Sequence, residues 1–368
     1  MSDFEPFYDV SRSYEDNYEQ GPFGAFAEAL KDGNGADAAG TTSEGASEGA
    51  LATFLGQPVN LPFGIPAGPL LNSRFTTAAF HMGFDLATYK TVRSRAWGCN
   101  PFPNVLAVHP KSADAELDEG VLADTNYEQP ISISNSFGVP SQSPDVWQPD
   151  MRVAIEAAGP GQVLVPSFQG SRVEGMSEEE YIADHATTAR LVKETGAKLM
   201  VMNTSCPNEG HNRLLCHNPL LVGRITEAVK QEIGDIPLMV KLAYIPSDDA
   251  LELMVRSTVG HGTVQGFSTI NTISAKLVDA NGNQALPGAG RDHSGVCGNA
   301  IRGAGLDMVA RLAAIREKLG LDFAINGVGG VVSPADYQAY RDAGADSVMS
   351  ATGAMWDAEL AHKIKASR

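Results

Sequence analysis

Cysteine is scarce in this chain of 368 residues: Cys99, Cys206, Cys216 and Cys297 stand far apart, with no Cys-x-x-Cys pair. That spacing speaks against a disulfide framework and a cysteine-based zinc site, and fits reduced thiols in a cytoplasm. Basic residues are short as well. Lys and Arg number 27 against 44 Asp and Glu, a formal net charge of -17, so the chain lacks the cationic surface that nucleic acid or an anionic membrane requires. No apolar run approaches the roughly 18 residues of a membrane span. The acidic start, Met-Ser-Asp-Phe-Glu-Pro, has no basic segment followed by an apolar one. The expectation is a soluble, unprocessed, cytoplasmic protein. No His and acid are spaced as a hydrolase triad, and no paired carboxylates close strands, which disfavours glycoside hydrolysis. No metal site is expected.

What is present is apolar content, 43% of the chain, enough to bury a large core. Residues 1 to about 30 interleave Phe4, Phe7, Tyr8, Tyr14, Tyr18, Phe23 and Phe26 with acids, which reads as an arm packed on a globular body. Residues 32–50 collapse to Gly, Ala, Ser, Thr and acid, too little apolar surface to offset ordering entropy, and read as a linker. The division expected is an arm and linker over residues 1–57 and a catalytic domain over 58–368. Within the latter, short apolar runs at 63–68, 86–91, 163–168, 199–203, 238–242, 267–271, 323–326 and 347–351 alternate with helical periods at 178–195, 219–233, 305–319 and 334–343. Eight such repeats predict an α/β fold, a (β/α)8 TIM barrel, with a doubly wound sheet as the alternative. The stretch from about 95 to 160 is too long for an ordinary connection and contains the run Ile131-Ser-Ile-Ser-Asn135. It reads as an active-site insertion after the second strand.

In such a barrel, polar residues closing the strands converge on one mouth. Here they are Lys90, Asn203, Lys241 and Asn271, with Gly329 and Gly330. Lys241 closes an apolar strand, where it reads either as a Schiff-base nucleophile or as a fixed cation beside a ligand that gains negative charge. Gly327-Val-Gly-Gly330, Ser350-Ala-Thr-Gly353 and Ser294-Gly-Val-Cys-Gly298 offer three amide-rich turns that suit a phosphate. Asn135, Asn203, Asn208 and Asn271 offer carboxamides for a heterocycle bearing N–H and C=O edges. The turn Asn203-Thr-Ser-Cys-Pro-Asn208 sets a thiol among them.

These residues resemble the dihydroorotate dehydrogenases, specifically the soluble class 1 enzymes, over about residues 58 to 360. The most specific element is Asn203-Thr-Ser-Cys-Pro-Asn208, similar to the family's catalytic loop; class 2 members carry serine where this chain has Cys206. The resemblance implies oxidation of dihydroorotate to orotate in pyrimidine biosynthesis, with Cys206 as general base while a hydride passes to N5 of FMN. It implies substrate contacts from Asn135, Gly138, Asn203, Asn208, Asn271 and Thr272. Lys90 matches the lysine bridging flavin and substrate, Lys241 the lysine beside the flavin N1 and O2, and Thr91 and Asn203 are further cofactor contacts that the resemblance implies. Gly298, Gly329, Gly330, Thr352 and Gly353 match the FMN phosphate turns, and Ala67 and Gly68 the small residues under the ring. A homodimer and an electron-transfer partner subunit are family expectations.

Several positions depart from the family pattern. Ser141 stands where asparagine is usual, Phe137 where methionine is, and Asn104 where an arginine is common; Val296, Cys297 and Asn299 replace the commoner Leu, Ser and Pro. A dihydropyrimidine dehydrogenase-like enzyme for uracil or thymine is the nearest alternative, against which Asn208 argues. A Schiff-base aldolase acting through Lys241 and a catalytically silent flavin-binding subunit are the others.

Overall fold

The computed structural model describes residues 5–33, 52–110, 120–205 and 214–368. Eight parallel strands close into a barrel: β1 (Phe63–Ile65), β2 (Leu86–Val92), β3 (Val163–Phe168), β4 (Met200–Asn203), β5 (Leu238–Leu242), β6 (Gly266–Thr269), β7 (Ala324–Val328) and β8 (Ser347–Met349). Each lies on one of the eight expected runs, so the barrel holds and the doubly wound alternative does not. Strand ends shorten by a few residues at β1 and β8, where Pro66 and Ser350 leave the ladder for loops. The helices follow local rules. Pro219–Ile233 starts at Asn218, whose side chain caps Leu221 N, with Pro219 at the first helical position. Glu178–Lys193 opens with a capping box between Ser177 and Glu180.

Alternation along the strands sorts side chains between two cores. Leu86, Val163, Val165, Leu199, Val201 and Met239 point into the barrel, where Phe54 and Val59 of a hairpin (Ala52–Phe54 and Gln57–Val59) plug the lower end. Leu164, Met200, Met202, Leu238 and Val240 point outward against the helices. By the same parity Asn203 follows Val201 and Lys241 follows Met239 into the barrel interior, near its open end.

Above that end sits a second closed sheet of five strands: Ala107–His109, Val121–Asp124, Ser132–Asn135, Ile273–Val278 and His293–Gly298. Its own core includes Leu106, Val108, Val121, Leu277, Leu286 and Val296. The expected insertion after β2 supplies three of these strands. The other two come from a second insertion, after β6, that the sequence reading missed. Ser294–Cys297, expected as an amide-rich turn, is strand instead, paired through Gly295 to Asn135 and through Val296 to Ser134. Periodicity there is masked because Gly295 and Gly298 weaken the strand signal and one of its two partners, Ser132–Asn135, lies far away in sequence.

The N-terminal segment packs on the barrel flank. Helices Tyr14–Gln20 and Gly24–Gly33 bury Tyr14 and Phe26, and Phe7 stacks on Phe26 at 4.2 Å and meets Phe75 edge-on. Most of the expected linker, from residue 34 on, lies outside the described residues.

Candidate active site

Between the barrel mouth and the five-stranded cap lies a cavity of about 1060 Å³, counting its opening. Fourteen of the seventeen candidates from the sequence line it: Ala67, Gly68, Lys90, Thr91, Asn135, Asn203, Lys241, Asn271, Thr272, Gly298, Gly329, Gly330, Thr352 and Gly353. Gly138 does not; its turn, at φ 75°, faces the Asn100 side chain. Cys206 and Asn208 lie outside the described residues.

Two lysines grip one turn. Lys90 Nζ donates to the Gly68 carbonyl at 3.2 Å and Lys241 Nζ to that of Ala67 at 3.5 Å. Both side chains are only 7% exposed, and burial lowers each ammonium to about 8. For Lys241 the charge of Lys90 adds to that fall, while Cys99 for Lys90 and Cys297 for Lys241 act against it. Lys90 and Thr91 are consecutive, yet both line the cavity. The pairing of β2 with β3 shifts register between Tyr89 and Val92, and this bulge turns two successive side chains to one side. Thr91 then bonds the Ser167 hydroxyl at 2.8 Å.

The carboxamides are held from behind. Asn203 accepts from the Ser205 hydroxyl at 3.0 Å, and Asn271 Nδ2 donates to the Ser205 carbonyl at 3.1 Å, so both fix the residue preceding Cys206. Thr204 donates to the Lys241 carbonyl at 2.7 Å, tying that loop to β5. Gln169 lies between Asn203 and the buried Arg93, its carboxamide 2.6 Å from Asn203 Nδ2 and 2.9 Å from the guanidinium. Gln169 directly follows β3; the strand-end rule that selected Lys90 and Lys241 also points to it, and the sequence reading passed over it.

At the far end the glycines leave room for a bulky polar group. Gly298, Gly329 and Gly330 have φ of 91°, 130° and 66°, in the region that favours glycine. A Cβ on Gly330 would come within 2.6 Å of Arg302 Cβ, and one on Gly353 within 2.1 Å of the Val331 carbonyl. Cys297 lines the same end, accepting from Thr352 Oγ1 at 3.6 Å, its thiol raised to about 11 by burial.

Other residues line the cavity as well, among them Tyr8, Cys297 and Ser350. Ser350 and Cys297 were seen only as parts of glycine motifs, and Tyr8 comes from the arm, for which no local pattern signals a place at the mouth. Among the described residues there is no group of His, Cys, Asp and Glu able to hold a metal, and no helix long and apolar enough to cross a membrane.

Comparison with known proteins gives one consistent family. The family model described as dihydroorotate dehydrogenase matches residues 124–367. The chain is 34% identical over 370 residues to a dihydroorotate dehydrogenase of Dictyostelium discoideum, covering 97% of this chain and 96% of that protein. It is 25% identical to the catalytic subunit of dihydroorotate dehydrogenase B (NAD(+)) of Enterococcus faecalis, over 64% of this chain and 70% of the relative. It is 24% identical to dihydroorotate dehydrogenase (quinone) of Bordetella avium, over 83% and 80%. Among solved structures, dihydroorotate dehydrogenase from Eimeria tenella in complex with ferulenol superposes with a TM-score of 0.65 at 17% identity, over 86% of this chain and 82% of the other. That last likeness is one of fold.

Proposed function

The chain belongs to the dihydroorotate dehydrogenase family, and from that premise we propose how its residues carry the oxidation of dihydroorotate to orotate. The single observation that supports the assignment of roles is the shared cavity. It places two buried ammonium groups, three carboxamides and a glycine-lined end within one enclosure.

The residues suit FMN. The glycines at 298, 329, 330 and 353 form a cradle that side chains would fill, as a phosphate end requires, and Lys241 and Lys90 supply positive charge farther in. FMN, when bound, supplies the acceptor for the hydride lost from the CH–CH bond of the substrate. Lys241 contributes a fixed cation where negative charge accumulates, in a site dry enough for that charge to count. Asn135, Asn203 and Asn271 present donors and acceptors to the pyrimidine edges, joined by Asn208 and by the Thr272 hydroxyl. Cys206 takes the proton from the carbon next to the one that loses hydride, so thiolate becomes thiol and the substrate gains a C=C bond. Ser205, bonded by Asn203 and Asn271, anchors the start of that loop. Lys90 bridges the two halves of the site. The class 1 character, a cytoplasmic setting and a homodimer with an electron-transfer partner belong to this proposal through the family resemblance alone.

Anaerobic titration tests it. The purified protein carries flavin absorbance that dihydroorotate bleaches and dihydrouracil does not, and Cys206→Ala slows bleaching by about 10²–10⁴-fold. A protein that cannot be loaded with FMN, or whose flavin ignores dihydroorotate, overturns the proposal.

A further inference from the structure

The arm that precedes the barrel brings the Tyr14 ring to Lys90, and the first insertion brings that of Phe137. Lys90 Nζ lies 5.5 Å from the centroid of Tyr14 and 5.1 Å from that of Phe137. The arm also grips the Phe137 ring, through Tyr8 at 5.7 Å and Tyr14 at 6.2 Å, both edge-on. Tyr8 and Tyr14 are 3% and 4% exposed, and Tyr8 lines the cavity itself. Among the described residues no carboxylate pairs with Lys90. Ring faces and the Gly68 carbonyl therefore supply much of the negative potential around a desolvated ammonium. Phe137, where methionine is the more usual residue, makes the second ring of this pair.

The arm is anchored independently of the lysine. The Asn17 side chain accepts from Asp9 N at 2.8 Å and donates to the carbonyls of Asp9 and Ser13, both at 2.9 Å. Asn72 and Arg74 donate to the Tyr18 carbonyl, which pins the end of the first helix to the barrel. The Tyr14 ring is thus held from both sides, and its place over Lys90 is a property of the arm's own fold.

We propose that the arm is a wall of the active site: Tyr14 is a positioning residue that holds the Lys90 ammonium through its ring, and Tyr8 closes the Lys90 end of the cavity. This rests on the role given to Lys90 above. The other groups that act on this corner are Cys99 from the first insertion, Arg291 from the second, Lys241 from β5, and Asp9, Glu15 and Tyr18 from the arm; Glu15 and Cys99 bear on both Tyr8 and Tyr14, Asp9 on Tyr8 and Tyr18 on Tyr14.

The test compares Tyr14→Phe, which keeps the ring, with Tyr14→Leu, which removes it, in the full-length flavin-loaded protein. Tyr14→Phe is expected to keep the wild-type kcat/KM for dihydroorotate and its pH profile. Tyr14→Leu is expected to lose roughly 2- to 30-fold, the range of a desolvated cation–π contact. Its activity should also fall away at lower pH than in wild type, because an ammonium without the ring gives up its proton sooner. A purely structural role would not move the pH limb. Iodide quenching of flavin fluorescence gives a reading independent of turnover, and Tyr8→Leu should raise it while Tyr8→Phe does not. Thermal melting checks that each variant folds. Wild-type kinetics and pH profile in a folded Tyr14→Leu, or equal impairment in Tyr14→Phe, would overturn the ring's role; unchanged quenching in a folded Tyr8→Leu would overturn the wall. If wild-type flavin ignores dihydroorotate while Tyr8→Leu still raises quenching, the functional reading fails and the wall stands.

Discussion

The Arg291 guanidinium lies 2.7 Å from the Ser136 hydroxyl, although 155 positions separate the two residues. The same group donates to the carbonyls of Pro101, Pro287 and Ser136, so one side chain from the second insertion ties together the first. Asn104, where relatives commonly have arginine, shares the Pro101 and Ser136 carbonyls with it. The Pro101 and Ser136 carbonyls thus draw donors from both insertions.

Removing Arg291 takes the guanidinium from the Ser136 hydroxyl and the Pro287 carbonyl and leaves the carbonyls of Pro101 and Ser136 to Asn104. Arg291→Ala is expected to cost about 1–3 kcal/mol in denaturant unfolding, and to raise the KM for dihydroorotate because Asn135 adjoins Ser136. Arg291→Lys should recover only part of this, since an ammonium cannot reproduce the five-donor fork. Unchanged stability in Arg291→Ala would show that Asn104 suffices.

Gly330 has no space for a side chain. In Gly330→Ala the new methyl meets Arg302 Cβ and the Gly298 carbonyl at a φ of 66°. Strain of roughly 1–3 kcal/mol should appear as about five- to hundredfold weaker FMN binding, read from flavin fluorescence on reconstitution. Substrate binding should change less, because the carboxamides are at the other end.

The two lysines fix a pH limb. Burial lowers both to about 8, and each is cationic below that value and neutral above it. The lysines should therefore give the rate of flavin reduction by dihydroorotate a falling limb near pH 8, with an apparent pKa that belongs to the coupled pair, set against the rise that ionisation of the Cys206 thiol brings. In Lys90→Arg, a guanidinium stays charged across the range, and the part of the limb due to Lys90 should vanish. Stopped-flow reduction at a series of pH values reads this directly.

Gln169 supports Asn203 without being one of the residues lining the cavity. Gln169→Leu keeps similar bulk and removes the carboxamide between Asn203 and Arg93. A several-fold rise in the KM for dihydroorotate with flavin content preserved is the expected outcome, and a loss of flavin with unchanged KM would contradict it.

The barrel was legible because each strand is a short apolar run and several helices carry their own caps, as at Asn218 and Ser177. Both signals are local. Lys90, Asn203 and Lys241 were legible because strand parity carries them to the mouth. The second insertion was not, since its strands at Ile273–Val278 and His293–Gly298 pair with one another across a long connection and otherwise with Val121 and Ser132–Asn135, far off in sequence. Tyr8 was seen as an arm aromatic, but nothing near it in sequence says which surface it will meet. Cys206 and Asn208, the sharpest elements of the sequence motif, lie outside the described residues, which end at Ser205 on that side.

The five-stranded cap has a consequence for the order in which the protein can be made. It closes by pairing Val121 with Leu277 and Ser132 with Gly298, contacts that span most of the distance between the two insertions. A nascent chain that has passed residue 140 has three of the strands and no partner for their edges. Leu106, Val108 and Val121 must wait, apolar and uncovered, until the ribosome has delivered residue 298, by which time six barrel strands are already available. Synthesis stalled in that interval would yield a chain prone to aggregate.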